Sequence, residues 1–202
     1  MEIGVEIHMT TKLDLRAELS VCKHKMDCTG VVAIAEWICD RPKQIPRLVE
    51  LLWDDDAAVS NRAADVLERI MREASPALKR AVEAYTEELI GFLGEAGAAK
   101  LRWNLALTIP RLTLTGAQCR RVADTLNGWL DDRSSVVKTS ALHGLADLAR
   151  RETSLIADVL DLLRMAERSG TPAMRARSRI LLNELERGQR KRQRRSSIHM
   201  FD

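Results

Sequence analysis

The feature that most constrains this chain is an internal repeat, in which an acidic turn precedes an Ala-rich segment. Residues 53–70 read WDDDAAVSNRAADVLERI, and residues 129–149 read WLDDRSSVVKTSALHGLADLA. A weaker copy, FLGEAGAAKLRWNLALTI, covers residues 92–109. A repeat of about 40 residues is typical of helical solenoids, in which each helix pair covers the apolar surface of its neighbour. The sequence therefore predicts a stacked array of helix pairs.

An apolar or small residue just after each turn aligns the copies. The aligned residues recur at intervals of 40, 38 and 37 and are Val59, Ala99, Val137 and Met174. Four residues further on stand mostly small side chains, and eight residues further on stand leucines: Ala63, Trp103, Ala141 and Ser178, then Leu67, Leu107, Leu145 and Leu182. Offsets of four and eight remain on one face of a helix. This spacing predicts a buried stripe, with Ala63 and Ala141 at close contacts between helices.

A second helical pattern precedes each turn, so every repeat is read as two helices. These first helices cover residues 45–53, 84–93, 119–130 and 154–166. Residues 54–56, 131–132 and 169–172 then supply turn or capping residues for the helices that follow. Aromatic residues are only 3% of the chain, while Ala, Leu and Arg are abundant, which favours helix over strand. We predict an all-α fold, a right-handed α-α superhelix of helical pairs.

Two stretches of the array carry a likeness to a known repeat. DDDAAVSNRAADVL (54–67) and DDRSSVVKTSALHGL (131–145) resemble the HEAT repeat family in their acidic turn, valine, basic residue and alanine. The copy at 92–109 has Gly94 and Glu95 in place of aspartates and Trp103 in place of alanine. The copy at 169–182, SGTPAMRARSRILL, lacks the aspartate but keeps the spacing. The resemblance covers residues 45–186 and implies a HEAT-like array of about four helix pairs.

The remaining parts of the chain flank this array. Residues 1–44 are interpreted as an N-terminal helical cap or a degenerate repeat. Residues 187–202 begin with the basic run RGQRKRQRR and have no apolar periodicity before IHMF. We expect this basic tail to be disordered.

The predicted second helices carry a series of basic residues. In HEAT-like arrays these helices line the concave surface, so the resemblance implies a basic strip there, with Trp103 as a stacking surface. The basic residues of this strip are Arg62, Lys100, Arg102, Lys138, Arg175, Arg177 and Arg179. The alternative is that these cations pair with turn aspartates of adjacent repeats and present no free charge.

The charge of the chain is unevenly distributed. Residues 1–186 contain 26 Lys and Arg against 28 Asp and Glu, so the body is slightly acidic and is not a general nucleic-acid binder. The tail concentrates six basic residues, Arg187, Arg190, Lys191, Arg192, Arg194 and Arg195. This tail is interpreted either as an arm for nucleic acid or as a solubilising end.

The chain shows no motif for nucleophilic catalysis, phosphate binding or metal-dependent chemistry. His143 is interpreted as structural. Cys22, His24, Cys28 and Cys39 lie close together in sequence but lack a paired C-x-x-C knuckle, so we assign no metal and no cofactor. No apolar signal core or membrane-length run is visible, so we expect a soluble cytoplasmic protein without a membrane partner.

Two functions from different classes fit these features. The first is a non-catalytic HEAT-repeat binding module or scaffold whose concave face receives a protein or another macromolecule. The alternative is a nucleic-acid-binding protein or enzyme similar to HEAT-like alkylpurine DNA glycosylases, which hold DNA in a basic concave groove. No full motif of those enzymes is present, so no catalytic residue is assigned. Convergence of the cations and Trp103 beside an exposed acid would favour the enzyme, whereas neutralisation by turn aspartates would favour the scaffold.

Overall fold

The computed structural model describes residues 14–21 and 28–198 of the 202-residue chain. Within these two ranges the regular structure is helical and no strand occurs, which confirms the all-α prediction. The α-helices, in chain order, are α1 (Leu15–Val21), α2 (Cys28–Cys39), α3 (Ile45–Glu50), α4 (Ala57–Glu73), α5 (Pro76–Glu83), α6 (Thr86–Glu95), α7 (Ala99–Thr108), α8 (Gly116–Gly128), α9 (Ser135–Ala149), α10 (Ile156–Ser169) and α11 (Pro172–Ile198).

The helices form a superhelical array of pairs. The pairs are α3 with α4, α6 with α7, α8 with α9, and α10 with α11, and α5 is an additional helix between the first two pairs. The second helices, α4, α7, α9 and α11, pack on one another in that order, and α2 packs on α4 ahead of them. One apolar core runs from Leu15 in α1 to Leu185 in α11. The array is therefore continuous, because each second helix is covered by the next.

Side chains at the turns cap the helices that follow. Asp56 Oδ1 accepts a hydrogen bond of 2.8 Å from the backbone N–H of Ala58, and Ser134 Oγ accepts one from Val137 at the start of α9. Two residues before these caps, Asp54 and Asp132 accept the N–H groups of Asp56 and Ser134 at 2.9 and 2.7 Å. These bonds satisfy donors that a helix N-terminus leaves open, so the capping role predicted within residues 54–56 is confirmed. In the third turn the predicted Asp132 is a turn residue, and the cap itself is Ser134.

The predicted register is correct in three repeats and wrong in one. Val59, Val137 and Met174 are each the third residue of their helix and are buried. Ala99 is exposed because α7 begins at that residue, and the equivalent third residue is Leu101, which is buried. The true intervals are thus 42, 36 and 37 residues. The buried stripe of α7 consists of Leu101 and Leu105 and continues into Ile109, which directly follows the helix. Trp103 and Leu107, which the repeat spacing places in the stripe, are half-buried.

The second helices approach closely at small residues. Ala63 and Ala141 are fully buried, as the spacing predicted. A Cβ added to Gly144 of α9 would lie 2.8 Å from Leu126 Cδ1 and closer still to the backbone carbonyl oxygen of Ala106 in α7. Gly144 is therefore a site where only a hydrogen fits between two helix backbones.

The structure differs from the sequence prediction at the C-terminus. Helix α11 continues through the basic run to Ile198, where a disordered tail was expected from residue 187. The physical reason is that Met174, Leu181 and Leu185 already anchor α11 in the core, so each further residue only extends an existing helix. Arg, Lys and Gln are good helix formers and extend it at little cost.

Among the helices that the structure describes, none combines the length and the apolar character needed to cross a membrane.

We predict that Gly144→Ala lowers the free energy of unfolding by about 1–3 kcal/mol, because the added methyl group must displace the α7 backbone. The matched control is Gly91→Ala within α6, where an added Cβ meets no atom within 4 Å. Alanine at an open helical position stabilises by about 0.5–1 kcal/mol relative to glycine. Urea unfolding followed by circular dichroism measures both variants, and equal effects of the two substitutions would contradict the close approach of α7 and α9.

Candidate binding surface on the second helices

The first group of polar residues on the second helices joins α4 to α7. Lys100 Nζ lies 2.6 Å from Asp65 Oδ2, and Asn104 Nδ2 donates to Asp65 Oδ1 at 2.8 Å. The side chain of Asn104 is buried, while Lys100 is about half exposed. Lys100, which the sequence placed in a basic strip, is therefore held by a carboxylate of the preceding repeat.

Arg102 joins the second helix pair to the turn of the third. Its Nε lies 2.9 Å from Asp132 Oδ2, and its guanidinium also donates to the carbonyl oxygens of Ala96 and Gly97. Asp54, at the equivalent position in the first turn, pairs with Arg16 of α1 at 2.7 Å. The hydrogen bond from Arg16 lowers the pKa of the Asp54 carboxyl. In both turns one aspartate accepts the backbone N–H of the N-cap residue and also binds an arginine of another element.

Two more of the predicted strip residues are bound within the array, and the aromatic one is partly covered. The Arg62 guanidinium donates to the carbonyl oxygens of Leu19 and Ser20 at the end of α1, where a cation also stabilises the helix dipole. Arg179 Nε lies 3.2 Å from Glu167 Oε1, so Arg179 faces α10 and not α9. The side chain of Trp103 is half-buried on α7.

The other cations of the predicted strip do not converge. Lys138 and Arg175 are the fourth residues of their helices, as Arg102 is, and they make no ion pair with any residue within 14–21 or 28–198 that is described. Lys138 has no turn carboxylate to meet, because Ser169 stands in the fourth turn where the first and third turns have aspartate. Arg177 lies two residues beyond Arg175 and so faces another side of α11. The strip is partly neutralised and partly dispersed.

Two further ionic clusters cross the second helices, and sequence reasoning missed them. Glu68 of α4 is buried and lies 2.7 Å from Arg111, which follows α7. Arg150, which directly follows α9, donates to Asp147 of α9 and also to Glu184 of α11. The available signal in the sequence was the acidic residues within three of the second helices, Glu68 in α4, Asp147 in α9 and Glu184 in α11. We call the polar surface that these two clusters share with their neighbours on the second helices the second-helix face. Its residues are Asp65, Glu68, Lys100, Trp103, Asn104, Arg111, His143, Asp147, Arg150, Arg177 and Glu184.

Within this face, His143 is the residue whose pKa is most clearly shifted by its surroundings. Burial lowers the pKa of its imidazole, the nearby Asp147 carboxylate raises it, and the positive charges of Arg177, Arg111 and Arg150 lower it further. The net direction is downward, so the imidazole is neutral at pH 7. Its Nε2 lies 3.9 Å from Asp147 Oδ2.

The Cys and His residues of the N-terminal segment, to which no metal was assigned, and the basic residues of the tail are only partly described. Cys22 and His24, and the side chain of Cys28, lie outside the described part of the chain. Where the structure is described, no group of three or more His, Cys, Asp or Glu side chains could hold a metal ion. In the tail, Arg190 Nη2 lies 3.8 Å from Glu186 Oε2, and Arg192 donates to the carbonyl oxygen of Arg150. Lys191 is exposed, and Arg194 and Arg195 are described by their helical backbone alone.

Comparison with known proteins identifies the fold and goes no further. No protein-family model matches the chain, and no curated protein sequence matches it. Two crystal structures of engineered proteins from the Northeast Structural Genomics Consortium match over most of the chain. The first has a TM-score of 0.59 at 22% sequence identity, and the match covers 85% of this chain and 79% of the engineered chain. The second has a TM-score of 0.57 at 16% sequence identity, and the match covers 86% of this chain and 80% of the engineered chain.

The stacked helix pairs define the architecture, and the two engineered proteins share this fold. The fold is a helical repeat solenoid. A designed armadillo repeat protein covers 85% of this chain and 98% of its own at 14% identity, with a TM-score of 0.38 that is too low to support an inference.

We predict that Asp65→Ala destabilises the solenoid more than Lys100→Ala does. Removing the carboxylate leaves the buried Asn104 amide without its acceptor, which costs about 1–3 kcal/mol, whereas a half-exposed ion pair contributes at most about 1 kcal/mol. Urea unfolding of the two single variants and of the double variant measures the difference. A larger loss for Lys100→Ala would show that the ion pair, and not the buried amide, dominates this cluster.

We predict that His143 makes the solenoid less stable in acid. Because its folded-state pKa is below the ordinary value of 6.5, the unfolded chain binds the proton more readily as pH falls below about 6.5. Stability is then full above pH 6.5 and declines as pH falls from there toward the folded-state pKa. Thermal unfolding at pH 7.5 and 5.5 should show a smaller pH dependence in His143→Gln than in the parent, and identical dependences would refute the assignment.

Proposed function

We propose that this chain is a non-catalytic HEAT-like repeat module that holds a protein partner on its second-helix face. The observation that carries the proposal is the stacking of α4, α7, α9 and α11 in one layer, fixed by polar contacts between neighbouring helices. Solenoids use such extended, rigid surfaces to bind macromolecules, since stacking holds side chains from several repeats in place. The proposal takes residues 45–186 as the array and 1–44 as its cap, in a cytoplasmic protein.

The chemistry of the second-helix face favours a protein over a polyanion. Its cations alternate with carboxylates, as in the pairs of Lys100 with Asp65 and Arg150 with Glu184. A phosphate backbone would have to displace these carboxylates, whereas a protein surface of mixed charge can match them. Half-buried Trp103 and exposed Arg177 are of the residue types that supply most binding energy at protein interfaces.

The glycosylase-like alternative has less support. It required the basic residues and Trp103 to converge beside an exposed acid. Instead, Arg102 is bound to the turn residue Asp132, and Arg179 faces α10. Pairing of the strip cations with carboxylates of this chain is the arrangement expected for a binding module and not for a DNA groove.

The test compares what the tagged full-length chain co-purifies from cells with what two variants co-purify, by quantitative mass spectrometry. The site variant is Trp103→Ala with Arg177→Glu, and the matched control is Trp53→Ala with Arg168→Glu, which changes an exposed Trp and an exposed Arg on the first-helix side. We expect proteins held by the parent and the control to fall about 30-fold with the site variant, as for a hot spot of about 2 kcal/mol. Equal recovery with all three chains, or equal loss with both variants, would contradict the proposal.

A further inference from the structure

The last helix is much longer than its partner in the pair. Helix α11 has 27 residues against 14 for α10, and its last buried side chain among those described is Leu185. At about 1.5 Å of rise per residue, the part of α11 beyond Leu185 extends about 20 Å past the core. Within this projecting segment, residues 186–198, none of the side chains that the structure describes is buried in the core.

The projecting segment is densely and almost purely basic. Residues 187–195, RGQRKRQRR, contain six basic side chains and no acid, and the next acid in the sequence is Asp202. Nine helical residues span about 13 Å, so the segment carries about one positive charge per 2 Å. This density of unbalanced positive charge differs from the second-helix face, where cations such as Lys100 and Arg150 are paired with carboxylates of this chain.

Three cations of this segment, Arg187, Arg190 and Lys191, are exposed to solvent. Arg187 and Lys191 make no ion pair within the described ranges, whereas Arg190 lies 3.8 Å from the carboxylate of the half-buried Glu186 and also donates to its backbone carbonyl oxygen. Arg192 has an internal partner too, because it donates to the carbonyl oxygen of Arg150. Positions 187, 190 and 191 have the i, i+3, i+4 spacing of one helix face, and this face lies opposite the one that Leu185 packs into the core. The structure thus presents a preformed basic ridge to solvent.

The composition of the ridge distinguishes among anionic partners. Between Arg187 and Ser197 the sequence has no apolar residue that would insert into a bilayer or an apolar groove. Duplex nucleic acid carries about one negative charge per 1.7 Å, close to the linear density of this segment, and its major groove is wide enough for an α-helix. Ordinary protein surfaces mix both signs of charge and do not offer such a density.

We propose that the projecting end of α11 is a preformed basic helix that binds duplex nucleic acid through phosphate contacts, without reading its sequence. The ridge shares no residue with the second-helix face, so this proposal does not depend on the protein-binding proposal. With Arg192 turned toward Arg150, at most five of the six cations meet phosphates. Binding should then fall with salt with a log–log slope of about −4.5, from ~0.9 counterions released per contact.

The test is a titration of a fluorescent duplex of arbitrary sequence with the full-length chain at low and moderate salt. The site variant is Arg187→Gln, Arg190→Gln and Lys191→Gln, in which glutamine preserves helix propensity. The matched control removes the same charge from exposed arginines elsewhere, by Arg80→Gln, Arg120→Gln and Arg168→Gln. We expect the site variant to lose on the order of 100-fold in affinity near 0.1 M salt and its slope to flatten to about −1.8, with little change in the control.

Three outcomes would overturn the proposal. They are unchanged binding by the site variant, an equal loss with the control, and binding to vesicles containing phosphatidylserine in the absence of binding to the duplex. A further variant, Gln189→Pro, keeps all six charges but interrupts the helix. A drop of about tenfold or more is expected for it, because the segment must then be ordered on binding. Undiminished affinity would show that a preformed helix is not needed and would overturn that part of the proposal.

Discussion

The close packing of successive second helices is the contact on which the rest of this structure depends. Gly144 sits against the backbone of α7 at Ala106, and Ala63 and Ala141 are fully buried in the same layer. Small side chains let helix backbones approach, so one continuous core extends from α1 to α11. The same approach brings the polar side of each helix within hydrogen-bond distance of the next, as between Asp65 and Asn104.

The charges of the solenoid follow from this packing and divide it into two regions. Around α4 and α7, Lys100 and Arg102 meet carboxylates of neighbouring repeats. Toward the C-terminus such carboxylates become fewer, since Ser169 stands where an earlier turn has Asp132, and no acid follows Glu186 before Asp202. Mixed, paired charge thus gives way to a surplus of positive charge along α11, which is why two surfaces with different proposed partners can exist on one small array.

The two differences between sequence and structure have local causes. The alignment placed Ala99 in the stripe because GEAGAA offers several similar residues and no capping side chain, so nothing in the sequence marked the start of α7 at that point. The tail was expected to be disordered because it has no apolar periodicity. Its helix instead continues from the packed part of α11, and propagation from an existing helix needs no hydrophobic face of its own.

The sequence by itself determined the helix pairs, the cap at Asp56 and most of the buried stripe, because these depend on a period of about 3.6 residues and on side chains next to each turn. Only the tertiary structure decided which cations are neutralised and which glycine is enclosed. Lys100 and Asp65 are far apart in sequence, and Gly144 and Gly91 look alike within their helices. Their environments depend on the position and crossing of one helix against another, which a pattern along a single helix does not contain.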